Sequence, residues 1–281
     1  MNRYCLLLLF AILMFVPSVA TGQIVAPSRD AVYDVDSMRR EFDNAPYFGL
    51  YKDNYFIFGP SIGPKANKSN TNVKFQISVA QRLSKSVLPF NTYLFLFYTQ
   101  KCFWNVLQKS IPMTDLNFNP GIGLARPLFV KDRFIGKAIF LIEHESNGKA
   151  GKMSRSWNKI TFGANILIDP TIMVHGKFWI PIVDGENNRD ILRYSGIYQM
   201  GLSYMPPSKR FGASVVLVKR KGWNLNYNTI IELNYRLFKA ENQYFFMQYY
   251  NGYGEGLLEY NKFHSQLRVG LVIKPQFFSD Y

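Results

Sequence analysis

Disulfides, membrane-spanning helices and negative charge are all in short supply in this 281-residue chain. Only two cysteines occur, Cys5 and Cys102, and cleavage of an N-terminal leader leaves Cys102 alone. One cysteine cannot close an intrachain disulfide, so the fold must be held by other means. Beyond the first 22 residues no apolar run approaches the roughly 18 residues of a spanning helix; Tyr93 to Tyr98 and Ala138 to Ile142 are typical of what remains. Acids number 19 against 33 Lys and Arg, a formal net charge of +14. Such a balance can signal nucleic acid, but the bases are dispersed among turns and one phase of alternating segments, so no nucleic-acid partner is expected. Lys219-Arg220-Lys221 is the one compact basic run, and it reads equally well as a solvated loop or as a contact for anionic lipid headgroups.

What is present points to a membrane by another route. Asn2-Arg3, the apolar stretch Cys5 to Val16 and the small residues of Pro17-Ser18-Val19-Ala20-Thr21-Gly22 read as a secretory signal peptide over 1–22. Residues 23–46 are polar, partly acidic and without alternation, a periplasmic lead-in. From 47 to 281 the chain is a succession of short alternating segments rich in Phe and Tyr, with 48% of the whole sequence hydrophobic and 16% aromatic. Twelve strands are expected, at about 47–59, 73–83, 91–104, 117–128, 136–146, 154–167, 171–180, 194–204, 209–218, 225–237, 243–250 and 263–274. Connections alternate between short and longer ones, as in an all-β, antiparallel transmembrane β-barrel with tight turns on one side and loops on the other. A soluble β-sandwich is the competing architecture, and the secretion signal and aromatic load weigh against it.

One segment carries chemistry. Ala138, Phe140 and Ile142 lead into His144 and Ser146 on one strand face, while Glu143 and Glu145 take the other. Ile160, Phe162, Ala164 and Ile166 share their face with Asn158 on the next strand. Serine needs an adjacent base to become a nucleophile, and a histidine two residues away on the same face is within reach. Asn158 can accept the other ring N–H and so fix the tautomer, without the desolvation cost of an ionised acid on a lipid face. Polar groups on such a face are expensive and therefore functional candidates. His175 and His264 have no serine two residues away and read as structural.

His144-Glu145-Ser146-Asn147-Gly148, with Ser154-Arg155-Ser156-Trp157-Asn158, resembles the signature of the outer-membrane phospholipase A family. Lys74 to Ala80, Tyr98-Thr99-Gln100-Lys101 and Asn251-Gly252-Tyr253-Gly254-Glu255 are similar to further stretches of that family, so the resemblance runs from about residue 45 to the C-terminus. It implies a calcium-dependent phospholipase in the outer membrane, hydrolysing phospholipids and lysophospholipids at the A1 and A2 positions on the outer-leaflet side. It implies His144 as base, Ser146 as nucleophile forming an acyl-enzyme, Asn158 as orienting group and the Gly148 N–H as oxyanion donor. The same resemblance implies a homodimer, active with Ca2+ held by the Ser154 hydroxyl, the Lys149 carbonyl and the carbonyl of Ser110 of the partner subunit, and joined through Gln100, Ile77 and Val79. Two positions depart from the family pattern. Gly151 stands where other members carry an aspartate, which weakens the case for a second calcium position, and Glu145 lies on the face opposite the pair. A passive pore or a non-catalytic structural barrel are the readings from other classes.

Overall fold

The computed structural model describes residues 46–85, 87–130, 133–183, 185–238 and 242–275, together with Arg40, Asp43 and Asn44. The expected signal peptide and most of the lead-in therefore lie outside the described residues. The strands are β1 (Phe48–Leu50), β2 (Asn54–Pro60), β3 (Thr71–Arg82), β4 (Tyr93–Trp104), β5 (Met113–Val130), β6 (Arg133–Ser146) and β7 (Ser156–Leu167). They continue as β8 (Ile172–Ile182), β9 (Tyr198–Tyr204), β10 (Phe211–Lys219), β11 (Tyr227–Arg236), β12 (Gln243–Gly252) and β13 (His264–Ile273).

From β2 onward each strand pairs antiparallel with the next in the chain, and β13 joins β2 in the register Val269↔Phe58, so the sheet closes on itself. β1 and β2 both lie against β3 and are two halves of one barrel strand, which makes a closed barrel of twelve. The break between them is stitched by side chains: Asn54 Nδ2 donates to Ser78 O at 3.2 Å and the Lys52 N–H to Ser78 Oγ at 3.2 Å. All twelve expected strands are found. Two starts differ by four residues: β5 begins at Met113 rather than at about 117, and β9 at Tyr198 rather than at about 194. Residues 194–197 were expected to open a strand, but Leu192–Ser195 is a single helical turn, and Gly196 at φ 85° turns the chain into β9. Glycine enters that left-handed region freely, and alternation carries no signal of it.

Alternation sorts the side chains. Outward rows are apolar; Phe140, Phe162 and Phe178 face one another across three strands, with ring centroids 5.1 and 5.0 Å apart. Inward rows are filled rather than open. Tyr51, Phe95, Phe97, Ala125, Ile139 and Leu141 pack together near the end of the barrel that carries the short turns. Trp157, Ile191, Leu257 and Tyr260 pack near the end that carries the long loops. Between them runs a polar network in which Glu255 accepts from Arg268 Nη1 at 2.6 Å and from Lys74 Nζ at 3.1 Å, while Lys74 also donates to Gln248 Oε1 at 2.7 Å. Gln248 Nε2 and Ser214 Oγ in turn donate to Glu232, at 2.8 and 3.0 Å. Buried charges persist only when paired and hydrogen-bonded, and here they are.

Candidate active site

β6 and β7 pair through Ile142↔Ile160, His144↔Asn158 and Ser146↔Ser156, which places the three expected catalytic side chains on adjacent outward positions at the loop end of the barrel. The rows beneath them are apolar, first Ile142, Ile160 and Ile180, then the three phenylalanines. His144 Nδ1 lies 2.8 Å from Asn158 Oδ1. A carboxamide oxygen only accepts, so Nδ1 carries the proton and Nε2 is left with the free lone pair of a base. Ser146 follows two residues on, on the same face. Among the hydrogen bonds of the described residues none joins its hydroxyl to His144, and such bonds are often long before substrate arrives.

The loop after Ser146 is organised from within by Asn147, which sequence reasoning missed. It is buried; its Oδ1 accepts from the Arg155 N–H at 2.9 Å and the Lys149 N–H at 3.3 Å, and its Nδ2 donates to Met153 O at 2.9 Å. Asn188, fully buried and also missed, bridges the far side: it accepts from the Ser156 N–H at 3.2 Å and donates to Ser156 O at 2.8 Å. Periodicity cannot flag either residue, because both sit in loops and act on backbone groups, those of Asn147 within its own loop and that of Asn188 32 residues away. Gly148 adopts φ 63°, and a Cβ there would lie 2.9 Å from Phe118 Cε2, so a glycine is required both conformationally and sterically.

Lys149 and Ser154 lie in this same loop, and no hydrogen bond among the described residues takes up the Lys149 carbonyl or the Ser154 hydroxyl. Two oxygen donors left open suit a hard cation. The loop supplies no carboxylate of its own, and Lys149, Lys152 and Arg155 make it cationic. Ser110 stands in the separate β4–β5 loop at φ 71°. Gly151, at φ 58°, has open space where a side chain would point. Ile77 and Gln100 are direct cross-strand partners on β3 and β4, and Val79 pairs with Tyr98. Gln100 accepts from Tyr98 OH at 2.9 Å, a polar pair set in an apolar outer surface.

On the inward face, Glu145 accepts from Trp157 Nε1 at 3.0 Å and Lys159 Nζ at 3.1 Å, and so is tied into the lumen. Glu143 accepts from Thr161 Oγ1 at 2.5 Å. Both glutamates line a cavity of about 180 Å³ together with Lys52, Lys101, Lys159 and Lys177. Nearby, in the loop that caps the barrel, Tyr260 donates to Asp190, and burial together with that carboxylate pushes its phenol up to about 12. His175 is buried on the inward face, and His264 Nε2 lies 3.9 Å from Glu259, so neither approaches the Ser146 face.

The phospholipase A1 family matches residues 47–273. The chain is 30% identical over 254 residues to a phospholipase A1 of Proteus vulgaris, covering 85% of each chain. Its fold is similar to outer membrane phospholipase A from Escherichia coli, with a TM-score of 0.71 at 26% identity, covering 82% of this chain and 99% of that one. It is similar also to a Salmonella typhi outer membrane phospholipase dimer with bound calcium, with a TM-score of 0.70 at 26% identity over 82% of this chain and 93% of the other.

Proposed function

Since the chain belongs to the phospholipase A1 family, as an outer-membrane phospholipase built on a twelve-stranded barrel, we propose that His144, Ser146 and Asn158 are its catalytic triad. The observation that carries this reading is the 2.8 Å contact of His144 Nδ1 with Asn158 Oδ1, beside a serine on the same lipid-facing row. Phospholipid and lysophospholipid esters approach from the bilayer along the apolar rows beneath the site. Ser146 Oγ attacks the ester carbonyl carbon while His144 Nε2 takes its proton. The proton on His144 Nδ1 stays there, donated to Asn158 Oδ1, which holds the ring in place but cannot neutralise the imidazolium. The Gly148 N–H donates to the oxyanion as it forms. His144 then returns the proton to the leaving glycerol oxygen, and water, deprotonated by the same nitrogen, releases the fatty acid from Ser146. A site open to the bilayer along the outward apolar rows accepts either glycerol position, which makes both A1 and A2 cleavage available.

The Lys149 carbonyl and Ser154 hydroxyl would hold calcium together with the carbonyl of Ser110 of the partner subunit. When bound, calcium supplies positive charge and a polarised water beside the oxyanion. With no carboxylate in the loop its affinity is weak. Dimerisation through the Ile77, Val79 and Gln100 surface completes that donor set, and a bound-calcium dimer in a relative supports the idea. This arrangement sits on the outer-leaflet side, where the long loops are, and activity follows phospholipid reaching that leaflet. The charged network and apolar clusters that fill the lumen argue against a passive pore.

The test is fatty acid release from mixed phospholipid–detergent micelles, with calcium and with chelator, for wild type and Ser146→Ala. Calcium-dependent release lost in the variant is expected; release that survives the substitution would rule out Ser146 as nucleophile.

A further inference from the structure

A catalytic histidine is only as well placed as the backbone that carries it, and the backbone at His144 lacks a donor that a regular sheet would supply. β5 and β6 keep one register from Gly121↔Glu143 to Phe118↔Ser146, yet the two pairs between, Asn119 with Glu145 and Pro120 with His144, form no ladder bridge. The register sets Pro120 opposite His144, where the ladder calls for an N–H aimed at the His144 carbonyl. Proline has none. An orphaned carbonyl in a strand would cost free energy and leave the strand loose at the base.

The carbonyl is satisfied in another way. Asn119 is buried on the inward face, and its Nδ2 donates to His144 O at 2.9 Å and to Glu143 Oε2 at 3.0 Å, which uses both amide hydrogens. Glu143 is in turn held by Thr161 and lies 3.7 Å from Lys159 Nζ. Glu145, the other inward neighbour, is held by Trp157 and Lys159. The outward pair His144 and Ser146 thus stands on a strand segment whose alternate residues are anchored inside the barrel. The anchor at the histidine is a side chain standing in for a missing backbone donor.

Resting on the triad assignment above, we propose that Asn119 is a positioning residue for His144, replacing the ladder hydrogen bond that Pro120 cannot make. Misplacement of a catalytic group by about 1 Å costs up to about 10²-fold in rate. Asn119→Ala should therefore lower kcat by about tenfold or more while KM stays within about twofold. Pro120→Ala restores a backbone N–H and should leave activity near wild type. The double variant Asn119→Ala/Pro120→Ala should regain most of the lost kcat, because the backbone now supplies the donor. A residue needed only for packing would not be rescued in this way.

All variants are refolded, their folded fraction is read from the gel-mobility shift of the unheated barrel, and fatty acid release is measured beside wild type and Ser146→Ala. Loss in the single variant with recovery in the double variant supports the role. An Asn119→Ala enzyme at wild-type kcat, or a loss that the double variant does not recover, overturns it while the triad stands. If Asn119→Ala does not fold, the double variant is compared with Pro120→Ala: equal kcat supports the role, and a tenfold deficit or failure to fold overturns it. An inactive wild type, or an active Ser146→Ala, overturns the triad and this role together.

Discussion

Replacing Glu255 by glutamine should destabilise the barrel far more than any loop carboxylate would suggest. Glu255 sits in the β12–β13 loop but dips into the lumen, where its side chain is 2% exposed and meets Arg268, itself 1% exposed, at 2.6 Å, and Lys74 at 3.1 Å. Breaking a buried pair by removing one partner's charge costs about 3–5 kcal/mol, because the remaining cations keep their desolvation penalty. Glutamine retains one acceptor, which places the expectation near the lower end, about 3 kcal/mol, or more than a hundredfold in the folding equilibrium. Glu259→Gln is the control. Its partner Lys262 is as close, at 2.6 Å, but the two side chains are 48% and 66% exposed, and such pairs contribute under about 1 kcal/mol. Urea unfolding in detergent, followed by tryptophan fluorescence, gives both numbers. The pH dependence adds a second check. Burial works to raise the Glu255 carboxyl, but the Arg268 guanidinium and the Lys74 ammonium outweigh it and hold the group well below the usual carboxylate range. A depressed folded value means that the stabilisation is fully present above the unfolded value, about 4.3, and is lost only as pH falls below it toward the folded one. The gap between wild type and variant should thus stay constant from neutral pH to about 5 and then close. A Glu255→Gln protein within about 1 kcal/mol of wild type, or a gap that closes near neutrality, would refute the buried-pair account.

Asn158→Ala removes the acceptor that fixes the His144 tautomer, and kcat should drop by about 10²-fold with the fold intact, read by the same fatty acid assay; unchanged turnover would show that the 2.8 Å contact is incidental. Gly151→Asp adds a carboxylate to a cationic loop where a side chain has open space, and aspartate tolerates the left-handed φ of 58° better than most residues. The calcium concentration for half-maximal activity should decrease in that variant, and a titration showing no shift would count against a calcium site in this loop.

Strand phases were legible because one face of every strand meets lipid, so a single apolar row announces both the strand and its direction of facing. The cross-strand meeting of His144 with Asn158 followed from those phases, since the connecting loop is short and the rows had to match. The helical turn Leu192–Ser195 is not legible: the chain beside it is held by strand side chains such as Trp179 of β8, whose Nε1 donates to Gly196 O at 3.1 Å, and such contacts leave no mark on alternation. Glu255 gave no sign of its burial either, because its partners Arg268 and Lys74 come from opposite ends of the chain. Asn119 and Pro120 look like ordinary members of a strand until the register sets proline against His144.

The seam between β13 and β2 joins residues more than 200 positions apart, as in Val269↔Phe58, and every other ladder is between near neighbours in the chain. Contact order is therefore concentrated in one step. Eleven hairpin-like pairings can form locally, but the cylinder cannot shut until the last strand has left the translocation machinery, and until then both free edges invite foreign strands. A chain truncated before His264 would be left as an open, aggregation-prone sheet however well its β6–β7 hairpin had formed.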